Sequence, residues 1–351
     1  MKDDVVVPVL ASAVGLLGAL LIALALFWVI KACRKLIAQK YESVPVEMKP
    51  RRFSYEEVVK MTHNFHRVIG RGGFGSVYQG QINGVPVAVK VHRGARLTQS
   101  QNEVIYLSKV HHKNLINLIG YYEDSTTRAV VYEFIANGDL KNNLTGSAST
   151  KLSWERRLGI AIGLAQALDY LHDGCQPPLI HRDIKSAHIL LCDNFEVKLC
   201  GFDLAVTLTP SHHGQSHVSI DVVGTSRYID PQYCVSGKLT KGSDVYGFGV
   251  VLMEIVTGKQ AGPIGVDGEY VGLTQWVSSM FGKAQVGSVV DPRLEGNYDV
   301  CSVEEALKIA MACSSENTHD RPTMGEVVIK LKHCLQLETA RSNQTISGGY
   351  T

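Results

Sequence analysis

Gly70-Arg71-Gly72-Gly73-Phe74-Gly75-Ser76-Val77 carries the reading of the fold. Its spacing is G-x-G-x-x-G-x-V. Val68-Ile69 precedes it as a strand, and Val77-Tyr78-Gln79-Gly80 follows as another. No helix follows, which argues against a dinucleotide-binding unit. Glycines at these places let a hairpin backbone lie close over phosphates. Asn83-Gly84 is a two-residue hairpin turn. It returns the chain into Val85-Pro86-Val87-Ala88-Val89-Lys90, a third strand that ends with an ammonium placed to reach phosphates.

Glu103 lies in Asn102-Glu103-Val104-Ile105-Tyr106-Leu107, a run with helical spacing. It is the natural ion partner for Lys90. A lone Lys–Glu pair is otherwise a surface contact of small value.

Composition narrows the class. The 351 residues carry a formal net charge of +2, which gives no case for nucleic-acid binding. The 8 cysteines are scattered, without a C-x-x-C pair, and read as reduced cytosolic thiols. His111-His112 and His212-His213 read as solvated or structural, because no metal-ligand spacing surrounds them.

Residues 1–4 read as an extracellular stub. Val5 to Ile30 is an unbroken apolar run, longer than the roughly 20 residues a membrane-spanning helix needs. Lys31, Arg34, Lys35 and Lys40 follow it, so the positive-inside rule puts the remainder in the cytoplasm of a single-pass membrane protein, at the plasma membrane. Ala11, Gly15, Ala19 and Ala23 share one helix face and offer a route to a homo- or hetero-dimer. Residues 31–64 form a juxtamembrane segment, in which Ser54-Tyr55-Glu56-Glu57 reads as a capping box opening a helix through Met61. Residues 336–351 are polar and read as a disordered tail.

Together, the glycine hairpin, Val87-Ala88-Val89-Lys90 and Glu103 are similar to the protein-kinase family across residues 65–335. Arg52-Phe53-Ser54-Tyr55-Glu56-Glu57, His111-His112-Lys113-Asn114-Leu115-Ile116 and Ser243-Asp244-Val245-Tyr246-Gly247-Phe248-Gly249 resemble the plant receptor-like, Pelle-like branch. The chain looks like a shortened member that lacks the ectodomain. The resemblance implies an α+β bilobal fold after one transmembrane helix, with a small β-rich lobe at 65–135 and a large helical lobe at 136–335. It implies an ATP site formed by Ile69, Gly70, Gly72, Gly75, Val77, Ala88, Lys90, Glu103, Glu133 and Ile135. Val131-Tyr132-Glu133-Phe134 is the implied hinge, with Tyr132 as gatekeeper. The implied partners are the membrane and other receptor-like kinases or signalling proteins.

His181-Arg182-Asp183-Ile184-Lys185-Ser186-Ala187-His188 matches the family's H-R-D-x-K-x-x-N except at its last place. The resemblance makes Asp183 the acceptor of the substrate proton and Lys185 the counter-charge for the moving phosphoryl group. The family's metal-binding Asn is His188, whose imidazole is a poor ligand for Mg2+ and could be protonated. In Lys198-Leu199-Cys200-Gly201-Phe202-Asp203 the family's D-F-G is reversed. Gly201 stands at the second metal position without a side chain; Asp203 is expected to face solvent or the activation segment, the alternative being a backbone shift that brings it to the metal in place of residue 201.

Losing one transition-state donor costs roughly 100–1,000-fold, and losing both metal ligands costs more. Gln232 stands for the family's Glu that pairs with a buried Arg, matched here by Arg321, which is expected to be partly uncompensated. Arg227 replaces a glycine in the substrate-docking segment. Ser211, Ser216, Ser219 and Thr225 lie in the activation segment, where each reads equally as a phosphorylation site or a polar loop residue. Asp244 is retained and is expected to brace the H-R-D loop.

The reading is therefore a membrane-anchored pseudokinase that holds ATP without a Mg2+ ligand set and signals through partner kinases. The alternatives are an active Ser/Thr kinase with an atypical metal site, and a non-functional shortened family member.

Overall fold

The computed structural model describes residues 50–73, 75–93, 97–146, 152–208, 217–266, 269–282 and 286–347. The capping box forms as its spacing requires. Ser54 Oγ accepts from the Glu57 N–H at 3.2 Å, and Glu57 Oε2 accepts from the Ser54 N–H at 2.8 Å. It opens helix α1 (Tyr55–Met61). Val58 and Met61 of α1 join Phe53, Val87, Val89, Val91, Ala129 and Val131 in the outer core of the small lobe.

The small lobe is a six-stranded sheet in the order β1-β5-β6-β4-β3-β2. Its strands are β1 (Arg51–Arg52), β2 (Val68–Gly72), β3 (Gly75–Ile82), β4 (Val85–Arg93), β5 (Leu118–Glu123) and β6 (Thr127–Glu133). The β1–β5 pair is parallel and the others are antiparallel. Val85, Val87, Val89 and Val91 alternate with Pro86, Ala88, Lys90 and His92, so β4 puts Val87 and Val89 into the outer core and Lys90 on the other face. Gly75 is needed at the hairpin, since a Cβ there would lie 2.3 Å from the Val91 carbonyl oxygen. Helix α2 (Leu97–Leu107) crosses the sheet and carries Glu103 inward.

The large lobe is helical. Helix α3 (Leu140–Thr145) is capped by Asp139. Helices α4 (Trp154–Asp169) and α5 (Lys241–Thr257) run through the core with most of their residues buried. This matches the apolar runs at Leu158–Leu168 and Val245–Val256. Helices α6 (Val300–Cys313) and α7 (Met324–Ser347) complete the lobe, with Leu307, Ala310, Val327 and Leu331 buried in the main cluster. The short strands β7 (Leu179–Ile180), β8 (Ile189–Leu191) and β9 (Val197–Leu199) frame the loop between the lobes.

Three expectations need correction. The described residues form the bilobal α+β arrangement, and among them no helix is long and apolar enough to cross a membrane, so the expected membrane helix is not part of the described fold. Val5 to Ile30 and the small-residue face on it lie outside the described residues, as do the stub and most of the juxtamembrane segment.

The polar end of the chain is not a disordered tail after residue 336. Helix α7 continues to Ser347. Glu338 is buried there, accepts from the Asp299 N–H at 2.6 Å and pairs with Arg341 at 2.7 Å. Those contacts give a polar helical turn a reason to stay docked.

Arg321 also keeps a full counter-charge. Asp230, not residue 232, holds it in a fork: Nη1 to Oδ2 is 2.7 Å and Nη2 to Oδ1 is 2.8 Å, with both side chains 1% exposed. Gln232 Oε1 instead accepts from the N–H and hydroxyl of Thr318. An aspartate two residues earlier reaches the guanidinium that a glutamate at 232 was expected to reach.

Removing one partner of a buried, bidentate pair leaves the other charge stranded and costs about 3–5 kcal/mol. Asp230→Ala is expected to lower stability by that amount in denaturant unfolding, whereas Gln232→Ala costs about 1 kcal/mol, the worth of an ordinary hydrogen bond. Equal losses for the two would contradict this division of roles.

Candidate active-site cleft

Lys90 pairs in register with Val77 on one side and Val130 on the other. Its Nζ donates to Glu103 Oε2 at 2.9 Å, as its sequence position suggests. It also donates to Asp203 Oδ2 at 2.5 Å. Both carboxylates are 1% exposed.

The expectation that Asp203 faces solvent or the activation segment is therefore wrong. The reason is local. Gly201 takes a left-handed conformation (φ +88°), and Phe202 is fully buried with its ring 4.9 Å from that of His181. The short 3-10 turn Phe202–Leu204 then packs beneath α2 and places Asp203 against Lys90. His92, two residues after Lys90, is buried on the same face. Its Nε2 lies 3.9 Å from Glu103 Oε2 and 4.0 Å from Asp203 Oδ1.

Burial opposes the Lys90 charge, but Glu103 and Asp203 outweigh it and hold its pKa above the usual lysine range. Burial, and then the Glu103 charge, push the Asp203 carboxyl up, against the pull of Lys90. Ligand atoms of His92, Glu103 and Asp203 all lie within 4.8 Å of one another. That spacing is open to a divalent ion, but the Lys90 ammonium already bridges both carboxylates and would repel one. The cation of this cluster is Lys90.

The loop carrying Asp183 is braced from below. Asp244 Oδ2 accepts from the His181 N–H and Oδ1 from the Arg182 N–H, each at 2.8 Å. The His172 ring reaches Oδ2 at 2.9 Å. Arg182 has φ +70°, a strained conformation for a non-glycine residue. Such strain costs about 1–3 kcal/mol and persists only where neighbours fix it; the two bonds to Asp244 do so.

Asp183 Oδ2 accepts from Lys185 Nζ at 2.6 Å, and Oδ1 accepts from the Thr225 hydroxyl at 2.6 Å. Lys185 also donates to Thr225 Oγ1 at 2.9 Å. Burial would raise the Asp183 pKa, but its contacts with Lys185 and Thr225 help hold it below the usual carboxylate range. Thr225 is thus part of the Asp183 network. Sequence reading offered it only as one of four hydroxyls on a segment, and no local signal marked it. Ser211 and Ser216 lie outside the described residues, and Ser219 is exposed.

The opposite wall explains the reversed motif. A Cβ on Gly201 would lie 2.4 Å from His188 Nδ1. The imidazole fills the volume that a side chain at 201 would need. His188 Nδ1 is 3.0 Å from the Asp183 carbonyl oxygen. A carbonyl only accepts, so the proton belongs on Nδ1. Burial pulls the His188 pKa down to about 3, so the ring is neutral near pH 7 rather than protonated. A hard Mg2+ ion prefers oxygen ligands in octahedral geometry. Gly201 and His188 supply none from their side chains, and the residues present do not fit the ion at these positions.

Across the β2–β3 hairpin Gly70 faces Val77 and Gly72 faces Gly75, with Ile69 exposed beside them. Ala88 is paired with Tyr132. Glu133 ends β6, where its Oε1 accepts from the Asn117 N–H at 2.9 Å and pairs with Lys198 at 3.0 Å. Ile135 packs against the large-lobe core.

The fit between Gly201 and His188 has a stability consequence. Gly201→Asp alone adds a clash to a left-handed backbone, at a cost of about 1–3 kcal/mol. Adding His188→Asn is expected to recover part of that loss in chemical denaturation. A double variant no more stable than the single one would show that the ring is not what crowds residue 201.

A family model described as protein tyrosine and serine/threonine kinase matches residues 63–331. The chain is 42% identical to a probable LRR receptor-like serine/threonine-protein kinase of Arabidopsis thaliana, over 97% of this chain and 39% of the relative. It is 44% identical to the LRR receptor-like serine/threonine-protein kinase IOS1 of the same plant, over 85% of this chain and 33% of the relative. A receptor-like protein kinase of Arabidopsis thaliana shares 40% identity over 97% of the chain and 40% of the relative. The chain thus spans about two fifths or less of the length of these curated relatives. With the cleft built from these residues and this similarity along nearly all of its length, the chain belongs to the protein kinase family, in its plant receptor-like branch.

Proposed function

We propose that this chain is a pseudokinase: a receptor-like kinase domain in which phosphoryl transfer is suppressed and whose signalling role is to bind and modulate partner kinases. One observation carries the reading. The His188 ring occupies the side-chain volume at residue 201, so neither position offers an oxygen ligand to a metal. Phosphoryl transfer depends on positioning and on charge neutralisation by that metal. The scaffold features that a binding role requires are kept: the Lys90–Glu103 pair, the Asp244 brace and the Asp230–Arg321 fork. Partner kinases are the proposed class because the relatives are described as receptor-like serine/threonine kinases.

In this reading Ile69, Gly70, Gly72, Gly75, Val77, Ala88, Lys90, Glu133 and Ile135 border an adenine-nucleotide cleft, with Glu103 holding Lys90. Asp183 and Lys185 keep the family's catalytic places without the ion that makes them useful. A second reading is an active Ser/Thr kinase with an atypical metal arrangement. It is favoured by the complete Asp183–Lys185–Thr225 network.

Thermal melting of the full chain with ATP, with and without Mg2+, separates the two. The pseudokinase reading expects the same shift in both conditions and no transfer of labelled phosphate to a protein substrate. A Mg2+-dependent shift accompanied by transfer would establish the second reading instead. Gly201→Asp with His188→Asn together is expected to restore weak transfer, while either change alone restores none.

A further inference from the structure

Asp203 is as deeply buried as Glu103, with 1% of its side chain exposed, and lies on the lysine that should meet phosphate. We propose that Asp203 is a resident stand-in for a nucleotide phosphate at Lys90, so that the cleft takes an uncharged nucleoside in preference to a nucleoside polyphosphate. The proposal rests on the reading of this cleft as an adenine-nucleotide site and specifies its ligand.

The first support is donor supply. An ammonium offers three donors. Lys90 spends two of them, on Glu103 Oε2 at 2.9 Å and Asp203 Oδ2 at 2.5 Å, and keeps one. A bare Lys–Glu pair would leave two donors and a single counter-charge for the ligand to meet. Here a second carboxylate is already in contact, and an incoming phosphate must displace it or share the ammonium with it.

The second support is charge. Lys90 and Lys185 face Glu103, Asp203 and Asp183, so two ammonium groups meet three carboxylates. Lys185 is itself committed to Asp183 and Thr225. The His188 ring is neutral, and His92 is the remaining nitrogen base near Glu103 and Asp203. A triphosphate would bring several further negative charges into a cleft with no oxygen ligand for a metal at residues 188 and 201. Like charges a few ångström apart repel far more strongly here than in bulk water. Neither support touches the strand pair of Ala88 and Tyr132 or the neighbouring Glu133 and Ile135, the positions read as the adenine side.

The third support is that one oxygen of Asp203 already closes the Lys90 pair from within the chain, while its Oδ1 accepts no hydrogen bond. Asp203 Oδ2 holds Lys90, and the turn Phe202–Leu204 packs against α2, which carries Glu103. The Lys90–Glu103 pair, which elsewhere is set up around phosphates, is closed by a side chain of this chain.

The test is equilibrium binding of adenosine and of ATP to the full chain, with the metal chelated and again with Mg2+, for the natural sequence and for Asp203→Asn and Asp203→Gly. Asn keeps the shape and loses the charge; Gly removes the side chain. Thermal midpoints of both variants verify that they fold. The expected result is that the natural chain binds adenosine at least as tightly as ATP. Each variant should then gain about tenfold in ATP affinity, a change of about 1.4 kcal/mol, while adenosine affinity moves by less than about twofold.

Unchanged ATP affinity in both variants would overturn the proposal. ATP binding that weakens in the variants, and does so only with Mg2+, would overturn it in favour of Asp203 as a metal ligand. Failure of adenosine to bind any of the three proteins would overturn the adenine-site reading itself, and this proposal with it.

Discussion

Two buried carboxylates share one half-buried ammonium where the sheet meets the large lobe. Lys90 comes from the middle of the sheet, Glu103 from the helix that crosses it, and Asp203 from the turn that follows β9. Each is costly to bury alone, because an ion removed from water must find its compensation within the protein. Their shared contact therefore fixes three elements relative to one another: the sheet, α2 and the floor of the cleft. The outer valine core on the other face of β4 holds the strand in the register that lets Lys90 point inward. The glycine hairpin strand β3 and strand β6 flank Lys90 in register on either side.

The same economy of space governs the opposite wall. His188 and Gly201 are one substitution in physical terms, though they are separated along the chain. A ring at 188 needs a residue without a side chain at 201, and Gly201 also accepts the left-handed backbone found there. Restoring an acid at 201 while the ring remains meets a clash before any question of chemistry arises. The acid of the reversed motif has moved to Asp203, where it serves Lys90 and not the place of the lost ligand.

Elsewhere, buried polar anchors keep the scaffold in its family form. Asp244 ties down the backbone of His181 and the strained Arg182, and Asp230 takes the Arg321 guanidinium. Thr225 closes the hydrogen-bond ring with Asp183 and Lys185. These bonds hold the shape of the large lobe, and the proposed binding role rests on them.

Local pattern alone determined much of this protein. The alternating valines of β4, the glycine hairpin, the capping box at Ser54 and the apolar runs of α4 and α5 each declare an element, because periodicity and capping act over a few residues. The pairing of Lys90 with Glu103 was also legible, from the place of Glu103 on a helical run after the Val87-Ala88-Val89-Lys90 motif. Tertiary structure alone decided where Asp203 points, that Asp230 rather than residue 232 meets Arg321, that Thr225 joins Asp183, that α7 continues past Leu337, and that the His188 ring excludes a side chain at 201. Each of those depends on contacts between residues distant in sequence or on a backbone turn whose direction no local spacing encodes. Burial then sets the charge states, as with the neutral His188, because only the packed structure removes the water that would otherwise stabilise the ion.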